Sequence, residues 1–340
     1  MRVEHDVPLA PLTTLRLGGA ARQLVIAESA EEVVAAVRGA DEPLLLIAGG
    51  SNLVLPDAGW PGTVVRIATR GIDVTAGRVV AQAGEDWEAL VARCVAGRLA
   101  GIECLSGIPG SVGATPIQNV GAYGQEIAEV VARVRVYDRK RDEVVELGPH
   151  ECAFGYRTSA FKRAPGELVV LEVELALRDD ELGGPVRYAE LARALGVAIG
   201  ERAPLDQVRA AVLALRRAKG MVLDPCDADT VSAGSFFTNP VLTDEQFAAL
   251  CERAAQDPPA FPDAEGHVKT SAAWLIERAG FHRGYGDGRA RVSSKHTLAL
   301  TNRGGTTADL LALAREIRDG VRESFGVTLE PEPTLVGERL

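Results

Sequence analysis

Between Ile108 and Gly124 the chain reads IPGSVGATPIQNVGAYG, and no other stretch limits the possible folds as tightly. It holds four glycines, two prolines and no charge. Proline removes amide donors and glycine removes side chains, so neither a long helix nor a central strand can run through it. What it offers is bare main chain, which a ligand can touch directly and whose successive N–H groups can form a concave anion receptor. A second bare turn, Gly49-Gly50-Ser51-Asn52, directly follows the apolar run PLLLIA. In the longer segment Gly107, Gly110 and Gly113 alternate with the hydroxyls of Ser106, Ser111 and Thr115. Such donors hold a diphosphate without bulk and without arginine. Neither segment has the G-x-G-x-x-G or G-x-x-x-x-G-K-[ST] spacing. Spacing alone leaves a structural loop equally open; the pair, separated by strand-rich sequence, points to a large cofactor with a pyrophosphate.

The rest of the chain narrows the class. Its 340 residues suggest two or three domains. No apolar run approaches a membrane span, and the N-terminal MRVEHDVPLAPLTTLRLGG reads as lacking a secretion signal. The five cysteines are scattered with no C-x-x-C pair, which suggests reduced, mostly buried thiols in a cytoplasmic protein. The five histidines fall in neither H-E-x-x-H nor H-x-H spacing, so no metal is expected. A net charge of −10 argues against nucleic acid and means that any site for an anionic ligand must focus its basic side chains locally. A monomer is expected.

Periodicity gives the elements. RQLVIA, PLLLIA and TVVRIA read as strands, and SAEEVVAAVRGA as a helix capped by Ser29 with Glu32 completing a capping box. VTAGRVVAQAG reads as a hairpin turning at Ala76-Gly77, and VARVRVYD-RKRDE-VVEL as another. EDWEALVARCVAGRL, LDQVRAAVLALRRAKG, TDEQFAALCERAAQ, SAAWLIERAG and ADLLALAREIRDGVRESF have helical spacing. GELVVLEVELAL and HTLALTN read as strands, DPPAFPDAEG as a surface loop, and DDELGGPVR as a boundary or exposed loop. The whole reads as α+β, in segments 1–70, 71–200 and 201–340.

AGGSN and IPGSVGATPIQNVGAYG, followed in order by FGYRTSAFK, SAGSFFTNP and LEPE, resemble the UDP-N-acetylenolpyruvoylglucosamine reductase (MurB) family across nearly the whole chain. The resemblance implies a PCMH-type pair of FAD-binding subdomains and a C-terminal substrate-binding domain. It further implies non-covalent FAD, NADPH as reductant and a UDP-sugar enolpyruvyl ether as substrate. Cofactor contacts then fall on Gly49, Gly50, Ser51, Asn52, Leu53, Ile108, Pro109, Gly110, Ser111, Gly113, Ala114, Thr115, Asn119 and Gly124. By the same resemblance Arg157 is the active-site arginine, Ser235 the proton donor and Glu330 the active-site glutamate. Without it these three would read as a surface salt bridge, a turn serine and a solvated charge.

Lys219 and Asn239 match substrate-binding positions; Arg216, Lys269 and Tyr156 are further candidates, and Arg216 and Lys219 stand three apart on one helical face. Tyr188 resembles the nucleotide-covering tyrosine of the type I subgroup. Two positions depart from the family pattern: Thr334 stands where an arginine is frequent, and Thr238 where a lysine is common. Two other readings stay open: another PCMH-type flavoprotein acting on a sugar or lactone, and a flavin-free sugar-nucleotide-binding protein.

Overall fold

The computed structural model describes residues 1–263 and 266–340. The loop expected over Asp257–Gly266 thus lies partly outside the described residues; at its middle is a two-residue strand, Phe261–Pro262. Backbone contacts divide the chain into two compact units. The first comprises Met1–Val7, Ala20–Gly50 and Trp60–Val222; the second comprises Pro8–Gly19, Ser51–Gly59 and Leu223–Leu340.

The first unit holds two sheets. Strands Ala20–Ala27, Trp60–Ile67 and Leu44–Ile47 pair in parallel, with Arg2–Pro8 at the edge. Helix Ala30–Arg38 connects two of these strands, as parallel pairing requires. The second sheet is antiparallel, ordered Glu143–Leu147, Val131–Asp138, Leu168–Ala176, Arg78–Gln82, Ile72–Thr75. Ala76 (φ +48°) and Gly77 (φ +80°) make the left-handed pair that a two-residue hairpin needs. One apolar cluster joins Val25, Val33 and Val65 from the first sheet and its helix to Tyr137, Val169 and Leu171 from the second.

That shared core spans the segments 1–70 and 71–200. Helix Leu205–Ala218 also belongs to the first unit, where Val208 and Val212 pack with Leu191 and Ala192 of helix Ala189–Leu195. The Ser29 cap forms, its side chain accepting from the Glu32 amide at 3.2 Å. The expected box does not close, because the Glu32 carboxylate accepts from the Glu28 amide at 2.8 Å instead. In the second unit a capping box does close, with Thr243 capping helix Asp244–Arg253 and Gln246 at its third position.

The second unit is built around helix Thr307–Phe325, which buries Leu310, Leu313, Ala314, Ile317, Val321 and Phe325 as the spacing predicts. Its core also includes Leu15, Leu17 and Val54 from the two early segments. A three-stranded sheet orders Ser232–Ser235, Ala299–Asn302 and Ala290–Val292. Strand Leu53–Val54 runs parallel to Thr334–Leu335. Among the described residues no helix is long and apolar enough to cross a membrane.

Candidate functional site

Within the first unit the two glycine segments meet. A Cβ on Gly49 would lie 2.6 Å from the Cα of Gly110, so the approach is main chain to main chain. Helix Trp87–Ala96 anchors the longer segment. The Trp87 amide donates to the Gly110 carbonyl at 3.1 Å, and the buried indole N–H donates to Leu105 O at 3.1 Å. The Val112 and Gly113 amides are taken by Glu85 O and Ala83 O, both at 2.9 Å. Among the described residues, the amides of Ile108, Gly110 and Ser111 donate to nothing.

The Ser111 hydroxyl is buried and has no hydrogen-bond partner either. An orphaned buried hydroxyl costs about 1–3 kcal/mol, which a ligand oxygen would recover. Close backbone approach, undirected amides and an orphan hydroxyl fit the diphosphate of a dinucleotide cofactor. The other glycine-loop residues divide by what they touch. Gly113 faces Ala83, whose Cβ would lie 2.5 Å from an added methyl. The Thr115 hydroxyl bonds back to Val112 O at 2.8 Å. Asn119 is committed inside the protein: its amide nitrogen donates to Glu126 at 2.7 Å and to Gly155 O at 3.1 Å, and its oxygen accepts from the Ala128 amide at 3.1 Å. The Asn119 side chain therefore shapes the loop.

Arg157 sits in a turn closed by reciprocal Gly155–Thr158 bonds, with φ +51°. A left-handed arginine is uncommon, and strain of this kind marks functional positions. Its guanidinium donates to Gly121 O at 3.0 Å and lies 5.9 Å from the ring centroid of its neighbour Tyr156. Four of the candidate substrate residues lie in the same unit. Tyr123 and Tyr188 meet edge to face with centroids 5.5 Å apart. Lys219 stands 5.6 Å over the Tyr123 ring and pairs with Glu190 at 2.5 Å.

Lys219 caps helix Leu205–Ala218 rather than continuing it. Arg216 lies deeper, donating to Met221 O at 2.9 Å while its Nε finds no partner among the described residues. Burial pushes the Arg216 guanidinium down to about 10, against the pull of Tyr123 and Glu88. The folded chain therefore bears a cost for this cation at every pH below about 10. A neighbouring anion would offset it. Burial also pushes the Tyr123 phenol up to about 12, so it stays a neutral donor.

In the second unit, Ser235 ends its strand beyond a bulge: Ser232 pairs with Thr301 and Ser235 with Ala299. Gly234 in the bulge has φ +74° and open space where a Cβ would be, so glycine is needed for the turn and not for room. The Phe236 amide then bonds Leu298 O at 2.7 Å, and Phe236 and Phe237 are buried in the core. Phe237 bridges to Pro331, and the Thr238 amide donates to Glu330 O at 3.0 Å.

The Ser235 and Glu330 segments thus run side by side. Ser235 is half-buried and its hydroxyl has no hydrogen-bond partner among the described residues; Glu330 is exposed. Asn239 accepts from the Ala272 amide at 3.0 Å, capping helix Ala272–Arg278. Lys269 lies in strand Val268–Lys269. Asn52 and Leu53 enter the strand paired with Thr334–Leu335, where exposed Thr334 contributes its amide to Asn52 O at 2.9 Å. That main-chain bond is independent of the departure from arginine.

Sequence reasoning missed Glu88 and Glu103. Glu88 accepts the Gly107 amide at 2.5 Å and pairs with Arg209. Glu103 is a buried carboxylate described below; its only signal was one acid in the otherwise apolar GIECLSG.

Comparison with known proteins accords with this arrangement. Residues 21–148 match the FAD-binding domain model, and residues 224–336 match the C-terminal domain of UDP-N-acetylenolpyruvoylglucosamine reductases. The reductase of that name from Streptomyces coelicolor is 60% identical, with 99% of this chain and 91% of that protein covered. Its counterpart from Thermobifida fusca is 55% identical over 99% of this chain and 98% of its own length. The crystal structure of the Thermus caldophilus enzyme matches at 27% identity and a TM-score of 0.69, covering 98% and 99% of the two chains. The FAD-binding match bears out the expected fold class and sets aside the flavin-free reading.

Proposed function

The chain belongs to the UDP-N-acetylenolpyruvoylglucosamine reductase family, and from that premise we propose that it reduces the enolpyruvyl ether of UDP-N-acetylglucosamine to UDP-N-acetylmuramate, with NADPH as reductant. Peptidoglycan precursor synthesis in the cytoplasm is the corresponding role. When bound, FAD would supply the hydride-transfer chemistry between the reductant and the enolpyruvyl group.

This chain's residues do the rest. The amides of Ile108, Gly110 and Ser111 and the Ser111 hydroxyl hold the cofactor's diphosphate. Arg157 pairs with the substrate carboxylate and stabilises charge as the vinyl carbon is reduced; its fixed, strained turn preorganises the guanidinium. Ser235 gives a proton to the adjacent carbon from a hydroxyl committed to no other bond among the described residues. Glu330 assists electrostatically. Lys219 and Arg216 receive the substrate's diphosphate, with Tyr188 covering the nucleotide and Asn239, Lys269 and Tyr156 as further contacts.

One observation carries the reading: near-full-length identity of 60% to a reductase of this name. The test is NADPH oxidation by flavin-loaded protein. Oxidation that depends on the enolpyruvyl UDP-sugar supports the reaction. Oxidation indifferent to that substrate, or a protein that takes up no FAD at micromolar concentration, overturns it.

A further inference from the structure

The side chain of Glu103 takes part in none of these steps, yet the residue is only 1% exposed. Among the described residues no Lys, Arg or His pairs with it. Three neutral donors converge on it instead. Oε2 accepts the Gly101 amide at 2.7 Å; Oε1 accepts the Gln125 side-chain amide at 2.7 Å and the Gly184 amide at 2.8 Å. Every bond is donated to it, the pattern of an acceptor-only carboxylate. Burying such a group away from any cation is costly, so its placement demands a reason.

The two segments it joins each carry a tyrosine. Gln125 opens the second arm of the short hairpin Gly121–Glu126, at whose turn Tyr123 adopts φ +50°. Gly184 lies in the segment leading to Tyr188. The sequence leaves room for the carboxylate here, since a Cβ on Gly183 would lie 2.8 Å from Oε1.

We propose that Glu103 is a positioning residue for the nucleotide-bearing substrate. By fixing the Tyr123 hairpin to the Tyr188 segment, it sets the edge-to-face pair as one aromatic wall for the ligand's ring. The proposal rests on the reading of Tyr188 as a substrate-binding residue. A second tie at the surface, Arg187 to Gly124 O at 3.1 Å and to Glu129 at 2.8 Å, keeps the segments near each other when the buried tie is weakened. The expected defect is therefore one of placement.

Glu103→Gln keeps the shape but sets an NH2 against an amide donor. In steady-state assays of flavin-loaded enzyme, KM for the UDP-sugar should rise about tenfold, the value of one buried hydrogen bond, with kcat nearly unchanged. Reduction of the bound flavin by NADPH alone should keep its rate. The double variant with Tyr188→Ala should show no larger KM than Tyr188→Ala by itself, because Glu103 acts through that ring. Unchanged KM in Glu103→Gln, or effects that multiply in the double variant, overturn the proposal while leaving Tyr188 as a substrate residue. Unchanged KM in Tyr188→Ala overturns both. Should Glu103→Gln fail to fold, Gln125→Leu carries the same test: it removes the Gln125–Glu103 tie, along with the bond Gln125 accepts from the Cys104 amide at 2.8 Å, and keeps the carboxylate and both backbone donors, and it too must raise KM without slowing flavin reduction.

Discussion

The Ser235 hydroxyl, half-buried and without a partner among the described residues, can give up a proton without first breaking a bond inside the protein. Ser235→Ala should therefore leave flavin reduction by NADPH intact while abolishing turnover of the enolpyruvyl substrate. Reoxidation of reduced flavin by substrate at the unaltered rate would remove Ser235 from the chemistry. Ser111→Ala tests a different hydroxyl, one buried with nothing to bond. The substitution should leave the apoprotein's stability unchanged or raised, yet weaken FAD binding about tenfold, measured by flavin titration. Equal FAD affinity in the two proteins would assign the cradle to backbone alone.

The bulge before Ser235 belongs to the scale of elements. Gly234 is in the left-handed region with open space around it, so Gly234→Ala meets strain of about 1 kcal/mol and no clash. A strand that relaxes out of the bulge re-aims the next residue. The expected result is a loss of kcat with KM for the UDP-sugar nearly constant; a lowered melting temperature with full activity would contradict it. Elements were also where the sequence was most legible. The Ala76-Gly77 turn, the cap at Ser29 and the apolar face of helix Thr307–Phe325 depend on neighbours a few residues away, and all formed. The Glu32 half of one box went elsewhere because another amide, that of Glu28, lay within reach of the same side chain. Glu103 was illegible for the opposite reason: its partners Gln125 and Gly184 stand 22 and 81 residues along the chain, and no local pattern announces them. The glycine segments were readable as bare main chain, and the structure brings Gly49 against Gly110, whereas the roles proposed for Arg157 and Glu330 came from resemblance, since lone charged residues carry no local signature.

Across the whole molecule the thiols divide into two classes. Cys94, Cys104 and Cys152 are buried; Cys226 and Cys251 are exposed. Burial pushes the Cys152 thiol up to about 11 and that of Cys94 to about 12, and Cys104 higher still. A raised thiol pKa means less thiolate at a given pH, and thiolate is the reactive form. At pH about 8, native protein should react rapidly at two cysteines and at the other three only after denaturation, counted with a chromogenic disulfide reagent. Rapid modification of Cys152, the least shifted of the buried three, would show that its helix opens readily. The division into units was hidden from sequence because it depends on which distant apolar faces share a core. Leu15, Leu17 and Val54 pack with residues that all lie beyond Leu223. A ribosome releases those three side chains long before their companions are made. Any product of premature termination at Val222 would carry them with nothing to cover them, so quality control should meet such fragments as exposed grease rather than as a finished flavin-binding half.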